Sequence, residues 1–153
     1  MSKKKKKKTA NKYNAKKVVV DGIKFDSQAE SKFYLHLKEC KEKGTIKGFE
    51  LQPPFILQES FKYQGKTILA IKYIADFRVI TPEGLSYIVD VKGKETTDFK
   101  IKAKMYKKLY PEPLKLVTWS GIDGGWIELE DLKKARKLRK QQKEEEQANN
   151  DNV

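Results

Sequence analysis

Asp76, Asp90 and Lys92 are the residues of this chain whose types and spacing could do chemistry together. Residues 67–80 and 85–92 alternate apolar and polar positions as β-strands do, where successive side chains point to opposite faces. In the first stretch Leu69, Ile71, Tyr73, Ala75, Phe77 and Val79 share a face, and Asp76 lies on the other with Ile74 and Lys72. In the second, Leu85, Tyr87, Val89 and Val91 share a face, and Ile88, Asp90 and Lys92 share the opposite one. Asp90 and Lys92 therefore point the same way, one pleat apart.

Aspartate is disfavoured in strands, and two of them opposed across neighbouring strands repel each other. A hard divalent cation between the carboxylates would account for that cost, because Mg²⁺ takes oxygen ligands and keeps room for water and substrate phosphate. Such an ion polarises a phosphodiester and helps to generate hydroxide from water. A lysine one pleat away can orient that nucleophile or stabilise charge developing on the phosphorus oxygens. The competing reading is chance, since Asp-X-Lys arises easily in a chain that is 36% charged and commonly sits on a solvated edge. The setting argues against chance: Tyr87-Ile88-Val89-Asp90-Val91-Lys92-Gly93 is an apolar strand ending in the pair, and a second apolar strand carries Asp76 one hairpin earlier. Opposing Asp76 directly to Asp90 requires a five-residue connection over 81–85, or a bulge. A four-residue loop over 81–84 would send the two carboxylates to opposite faces.

The elements that must position these residues are legible in outline. Asp21-Gly22 between residues 17–20 and 23–25 is a two-residue hairpin signal. Ser27, with Glu30 three residues on, is a capping box that opens a helix ending near Gly44, with Ala29, Phe33, Leu37 and Cys40 as its apolar stripe. Residues 49–51 begin an extended region interrupted by Pro53-Pro54. Residues 55–63 and 67–80 read as strands joined by Gln64-Gly65, followed by a Thr81-Pro82-Glu83-Gly84 turn and a strand over 85–92. A second helix covers 98–109, stopped by Pro111 and Pro113. A short strand over 114–119, a loop over 121–125 and a charged helix from 130 to about 147 complete the order. The expected fold class is α/β or α+β, with a mixed central sheet flanked by helices.

At 153 residues the chain suits one main domain, read as a disordered basic arm over 1–15, a folded domain over 16–128 and a charged helix and tail over 129–153. The net charge is +13; seven lysines in residues 1–12 supply +7 of it. Charge of that sign predicts affinity for polyanions, most simply nucleic acid, that weakens with salt. A single cysteine, Cys40, allows no internal disulfide and fits a reducing, cytoplasmic setting. No apolar run approaches the roughly 20 residues that cross a membrane, so no membrane partner is expected. One histidine and one cysteine give no support to a nucleophile–base hydrolase, and no glycine-rich phosphate cradle is present.

The arrangement resembles the PD-(D/E)XK nuclease superfamily, whose core is a helix carrying an acid, a strand with Asp, a strand ending in Asp or Glu-X-Lys, and a further helix. Here those parts correspond to Glu30, Asp76, Asp90-Val91-Lys92 and the helix from Asp98. More closely, Lys12-Tyr13, Asp21-Gly22-Ile23-Lys24-Phe25-Asp26-Ser27, Gln52-Pro53, Tyr73-Ile74-Ala75-Asp76-Phe77 and Asp90-Val91-Lys92-Gly93 resemble a family of small phage-encoded proteins of that superfamily, Holliday junction resolvase-like. Ala75 stands where the superfamily's name places a proline. The resemblance implies a restriction-endonuclease-like core and Mg²⁺ or Mn²⁺ held by Asp76, Asp90 and the carbonyl of Val91, with Lys92 near the attacking water. It implies Glu30 as a further ligand, although the capping box accounts for a glutamate there without chemistry. Gln52 is a candidate for substrate contact behind the ligands, or a plain strand-end glutamine. It implies cleavage of double-stranded or branched DNA in the host cytoplasm, with a homodimer where a junction must be cut twice.

Lys100, Lys104, Lys107 and Lys108 recur on one side of the second helix, opposite Phe99, Ala103 and Tyr106. They read either as a solvated face or, beside an active-site strand, as phosphate contacts. Lys94 shares both readings. Trp119 and Trp126 read as packing, with base stacking open to Trp126, and His36 as an exposed residue without a ligand role. The class that competes with a nuclease is a non-catalytic nucleic-acid-binding protein on a nuclease-like scaffold; an accessory subunit is a third reading.

Overall fold

The structure, a computed structural model, describes residues 16–153. The basic arm read over 1–15 lies outside the described residues. The described residues begin with β1 (Val18–Val20) and β2 (Ile23–Phe25), joined by Asp21 and Gly22 at φ 51° and 75°. Two left-handed residues in a two-residue loop match the twist of an antiparallel pair. Helix α1 (Gln28–Glu42) follows, its Ser27 side chain accepting the Glu30 backbone N–H at 3.1 Å. Tyr34 and Lys38 of α1 reach back to the Asp21 carboxylate at 3.0 and 2.7 Å, pinning the hairpin to the helix.

Next come β3 (Gly48–Leu51), β4 (Pro54–Gln58), β5 (Phe61–Tyr63), β6 (Lys66–Ile68), β7 (Ile71–Ile74), β8 (Phe77–Ile80) and β9 (Ser86–Val91). Helix α2 (Thr97–Leu109), β10 (Leu114–Ser120), β11 (Gly125–Glu128) and α3 (Leu129–Asp151) complete the chain. The central sheet has the order β11-β10-β9-β8-β3 and is mixed, since β9 and β10 run parallel while its other neighbours are antiparallel. The parallel pair follows from the crossover that α2 supplies between them. The fold is thus mixed α and β, with a five-stranded mixed sheet and three helices among the described residues.

The stretch read as one strand over 67–80 is three strands, and it breaks at the candidate residue. β8 pairs with β3 and β7 with β4 in one register as far as Ile56 opposite Lys72, where a bulge shifts it, and that register sets Gln52 opposite Asp76 and Pro53 opposite Ala75 at a corner between the two halves. Gln52 adopts φ 49° there, and Pro53 bars an unbroken ladder. The corner is held by Gln52 N–H to the Asp76 carbonyl at 2.9 Å and Ala75 N–H to the Pro53 carbonyl at 3.2 Å. Because the ribbon turns, the face read as continuous is divided. Phe77 and Val79 pack with Phe33 and Leu37 of α1, whereas Tyr73 and Ala75 join Phe99, Ala103 and Tyr106 of α2. β9 lies between the two cores, giving Val89 to the first and Ile88 to the second.

Four further readings are corrected. Residues 125–128, at the end of the region read as a loop, form β11. Helix α3 runs to Asp151 instead of fraying near 147, with Leu132 buried. Ala29 is exposed, and Tyr34 takes its place in the buried stripe of α1. His36 is half-buried, with its ring 5.6 Å from that of Phe33. Among the described residues, no helix is long and apolar enough to cross a membrane.

Candidate active site

The five-residue connection that the carboxylate pair requires is present. β8 and β9 pair Phe77 with Val89 and Ile80 with Ser86, leaving residues 81–85 as the link. Carried one step further, that register puts Asp76 opposite Asp90 on one face. The two side chains then take over the hydrogen bonds that the ladder loses at the corner. Asp90 Oδ1 accepts the Asp76 backbone N–H at 3.1 Å, and Asp76 Oδ2 accepts the Val91 backbone N–H at 2.8 Å. The Tyr73 hydroxyl donates to Asp90 Oδ2. Asp90 is 1% exposed, with both carboxylate oxygens engaged. Asp76 is only half-buried and lines a small cleft of about 80 Å³ with Glu30, Gln52, Lys24 and Phe77.

Four elements converge on that cleft: the corner at Asp76, the residue after β3 at Gln52, the first turn of α1 at Glu30, and β2 at Lys24. The N-cap fixes where α1 starts and hence where Glu30 stands, so its capping role and its place on the cleft are compatible. Lys92, just past the end of β9, rests its ammonium 4.4 Å from the Phe99 ring centroid, a cation–π contact at the start of α2. Of the residues that the sequence singled out, Asp76, Asp90, Val91, Lys92, Glu30 and Gln52 lie at this end of the sheet. Lys94 is exposed in the following loop and Lys100 early in α2. Lys104 follows, but Lys107 and Lys108 occupy the last turn of α2, leading away from the cleft.

The electrostatics are those of acids lacking sufficient positive partners. Burial pushes the Asp90 carboxyl up to about 6, against a smaller opposing pull from Lys92 and from the hydrogen bond to Asp76. Asp76 is also raised by burial, offset in part by its bond to Val91 and by Lys92. Glu30 is pushed up to about 7, first by burial and then by the charges of Asp76 and Asp26. Asp26 is a residue that the sequence reading passed over as a site member. Its signal was its position immediately before the N-cap of the helix that carries Glu30. Tyr73, which strand alternation puts on the apolar face opposite Asp76, donates its hydroxyl to Asp90.

Hard oxygen donors with uncompensated charge suit Mg²⁺ or Mn²⁺ in donor type, and such ions commonly take one or two carboxylates with water and phosphate. Asp76 and Glu30 present carboxylates to the cleft, while Asp90 braces the corner. Among the described residues, no group of three or more His, Cys, Asp or Glu side chains is gathered as a metal cluster.

Fold and cleft together define a mixed α and β protein with a carboxylate-lined site at one end of its central sheet. Residues 10–121 match the family described as Protein of unknown function (DUF1064), and the chain belongs to that family. No curated protein and no solved structure matches the chain.

Proposed function

We propose that this chain is a metal-dependent DNA endonuclease on a restriction-endonuclease-like core, acting on double-stranded or branched DNA. The observation that carries the reading is the β8–β9 register. It opposes Asp76 to Asp90 at a corner beside Lys92, and Glu30 opens onto the same cleft. A Mg²⁺ or Mn²⁺ ion, held by Asp76 and Glu30 with Asp90 and the Val91 carbonyl, would polarise the phosphodiester and lower the pKa of water. Asp90 fixes the backbone of Asp76, and Asp76 fixes that of Val91, so the site is braced before substrate arrives. Lys92 supplies positive charge beside the carboxylates, where negative charge grows on the phosphorus oxygens. Lys94, Lys100 and Lys104 would contact phosphates leading into the cleft. A four-way junction needs two cuts and so a homodimer, and a phage-encoded enzyme of this kind would work in the host cytoplasm.

The test is a cleavage panel of linear, nicked, flapped and four-way DNA with Mg²⁺ or Mn²⁺. Cleavage is expected, lost in Asp76→Ala, Asp90→Ala and Lys92→Ala while DNA binding persists. No cleavage of any form would overturn the reading. One observation favours a second reading, a non-catalytic DNA-binding protein: both oxygens of Asp90 are already bonded within the chain.

A further inference from the structure

Between the first turns of α1 and the β10–β11 strand pair lies a groove of about 610 Å³ lined by Gln28, Ala29, Lys32, Trp119 and Trp126. It belongs to the same end of the molecule. Gln28 and Ala29 immediately precede Glu30, and Trp119 lies two residues beyond Val117, the β10 partner of Val91. Trp119 is 62% exposed, unusual for a large aromatic residue in a regular strand.

Its ring is nevertheless held. Trp126, its cross-strand partner, meets it edge to face with centroids 5.4 Å apart. Gly125 closes in from the neighbouring strand end: a Cβ there would stand 3.2 Å from the Trp119 ring, and φ of 118° further restricts that position to glycine. The turn after Trp119 is pinned as well, because Asp123 accepts from the Ser120 hydroxyl at 2.6 Å and from Arg139 of α3 at 2.6 and 3.3 Å. Lys32, on the same groove, makes no ion pair among the described residues. A fixed, exposed indole beside a free cation is the combination that binds a single strand: every base has a π-face to stack, and the adjoining phosphate needs a positive charge.

We propose that this groove binds an unpaired DNA nucleotide, its base stacked on the Trp119 indole and its phosphate on Lys32, so that the substrate is DNA carrying a single-stranded segment next to the cut. The proposal rests on the nuclease reading for its substrate class, but the groove can be tested without cleavage. The probe is a short dye-labelled single-stranded oligo-dT, titrated against the full chain in EDTA by fluorescence anisotropy of the dye, with a labelled blunt duplex in parallel. Stacking is worth roughly 1–3 kcal/mol per base, so Trp119→Ala should weaken oligo-dT binding about 5- to 150-fold and leave duplex affinity within about 2-fold. Trp119→Phe should recover most of the loss, and Lys32→Ala should weaken binding with a shallower salt dependence. Equal effects of Trp119→Ala on both probes, or no effect on either, would overturn the groove. A chain that binds oligo-dT through Trp119 but cuts nothing with Mg²⁺ or Mn²⁺ keeps the groove and removes the nuclease. A chain that cuts flapped and linear DNA equally well with and without Trp119 does the reverse.

Discussion

The β8–β9 pair carries charged residues at both ends, and the two ends treat them in opposite ways. Two residues along β8 from Asp76, Arg78 bonds Glu112 through Nε and Nη2 at 2.9 and 3.0 Å and Glu50 through Nη1 at 2.7 Å, and at the far end Ser86 donates to the same Glu112 at 2.6 Å. Glu112 is accordingly held below the usual carboxylate range, chiefly by Arg78. At the near end Asp76, Asp90 and Glu30 are all raised, and burial leads the causes in each. The same sheet neutralises acids where they serve only the fold. Leaving them crowded elsewhere is a cost that the proposed metal-binding role would offset, since perturbed carboxylates concentrate at functional sites.

The largest effect should come from breaking the near end. Asp76→Ala, Asp90→Ala and Lys92→Ala should each lower the single-turnover cleavage rate by about 10²–10³-fold or more, the scale for losing one charge-stabilising group. Gel-shift affinity for uncleaved DNA should stay the same or rise in the two aspartate variants. Cleavage within tenfold of the parent in the Asp90 variant would remove that residue from the site.

The same end should tie stability to pH. Burial raises the folded-state pKa of Asp90 above its unfolded value, so the protonated acid favours the fold at low pH. That contribution is lost as pH rises through about 6, and for a change from 3.8 to about 6 it amounts to about 3 kcal/mol. Glu30 acts in the same direction through about 7. Metal-free protein should therefore melt at lower temperature near pH 8 than near pH 5 (the window set by these two groups), and Mg²⁺ should recover part of the difference at the higher pH. Asp90→Asn should flatten the dependence and raise the melting temperature at pH 8. A melting temperature that climbs with pH would contradict the account.

Breaking the far end should do the converse. Arg78 and Glu112 keep only 26% and 22% of their side-chain surface exposed, so Arg78→Ala strands a half-buried carboxylate. The expected cost is about 2 kcal/mol, less than for a fully buried pair. Denaturant titration should show the loss, while cleavage per folded molecule stays unchanged. A variant that loses cleavage without losing stability would erase the distinction between the ends.

The difference between the ends also explains what the sequence could and could not reveal. Alternation in residues 85–92 placed Asp90 and Lys92 on one face and required the five-residue link, because both follow from local geometry. Capping chemistry likewise located α1, and with it Glu30. The corner was not legible, since Tyr73, Ala75, Phe77 and Val79 alternate without interruption whether or not the ribbon turns between them. Only the partner strand discloses the break, through Gln52 at positive φ and Pro53. The Arg78 network was invisible for a similar reason: Glu50, Arg78, Ser86 and Glu112 lie on four separate segments, with no periodic relation among them. β11 escaped notice because Gly124-Gly125 masks its start as loop, and Asp26 because a residue before an N-cap has no pattern of its own.

The smallest effect concerns how DNA lies across the two ends. α2 runs from the near end, where Lys92 meets Phe99, to the far end, where Tyr106 donates to the Glu112 carbonyl at 2.9 Å. Its exposed lysines form one row, in which Lys100 and Lys104 precede Lys107 and Lys108 of the last turn. If DNA is held at the near end, Lys100→Ala should reduce the slope of log K against log salt by about 0.9, one phosphate contact, whereas Lys107→Ala and Lys108→Ala should leave it unchanged. Equal reductions along the whole row would mean that DNA follows α2 to the far end. The comparison of the two ends would then describe the chemistry but not the footprint. No change at any of them would make the row a solvated face and move the phosphate contacts to other lysines.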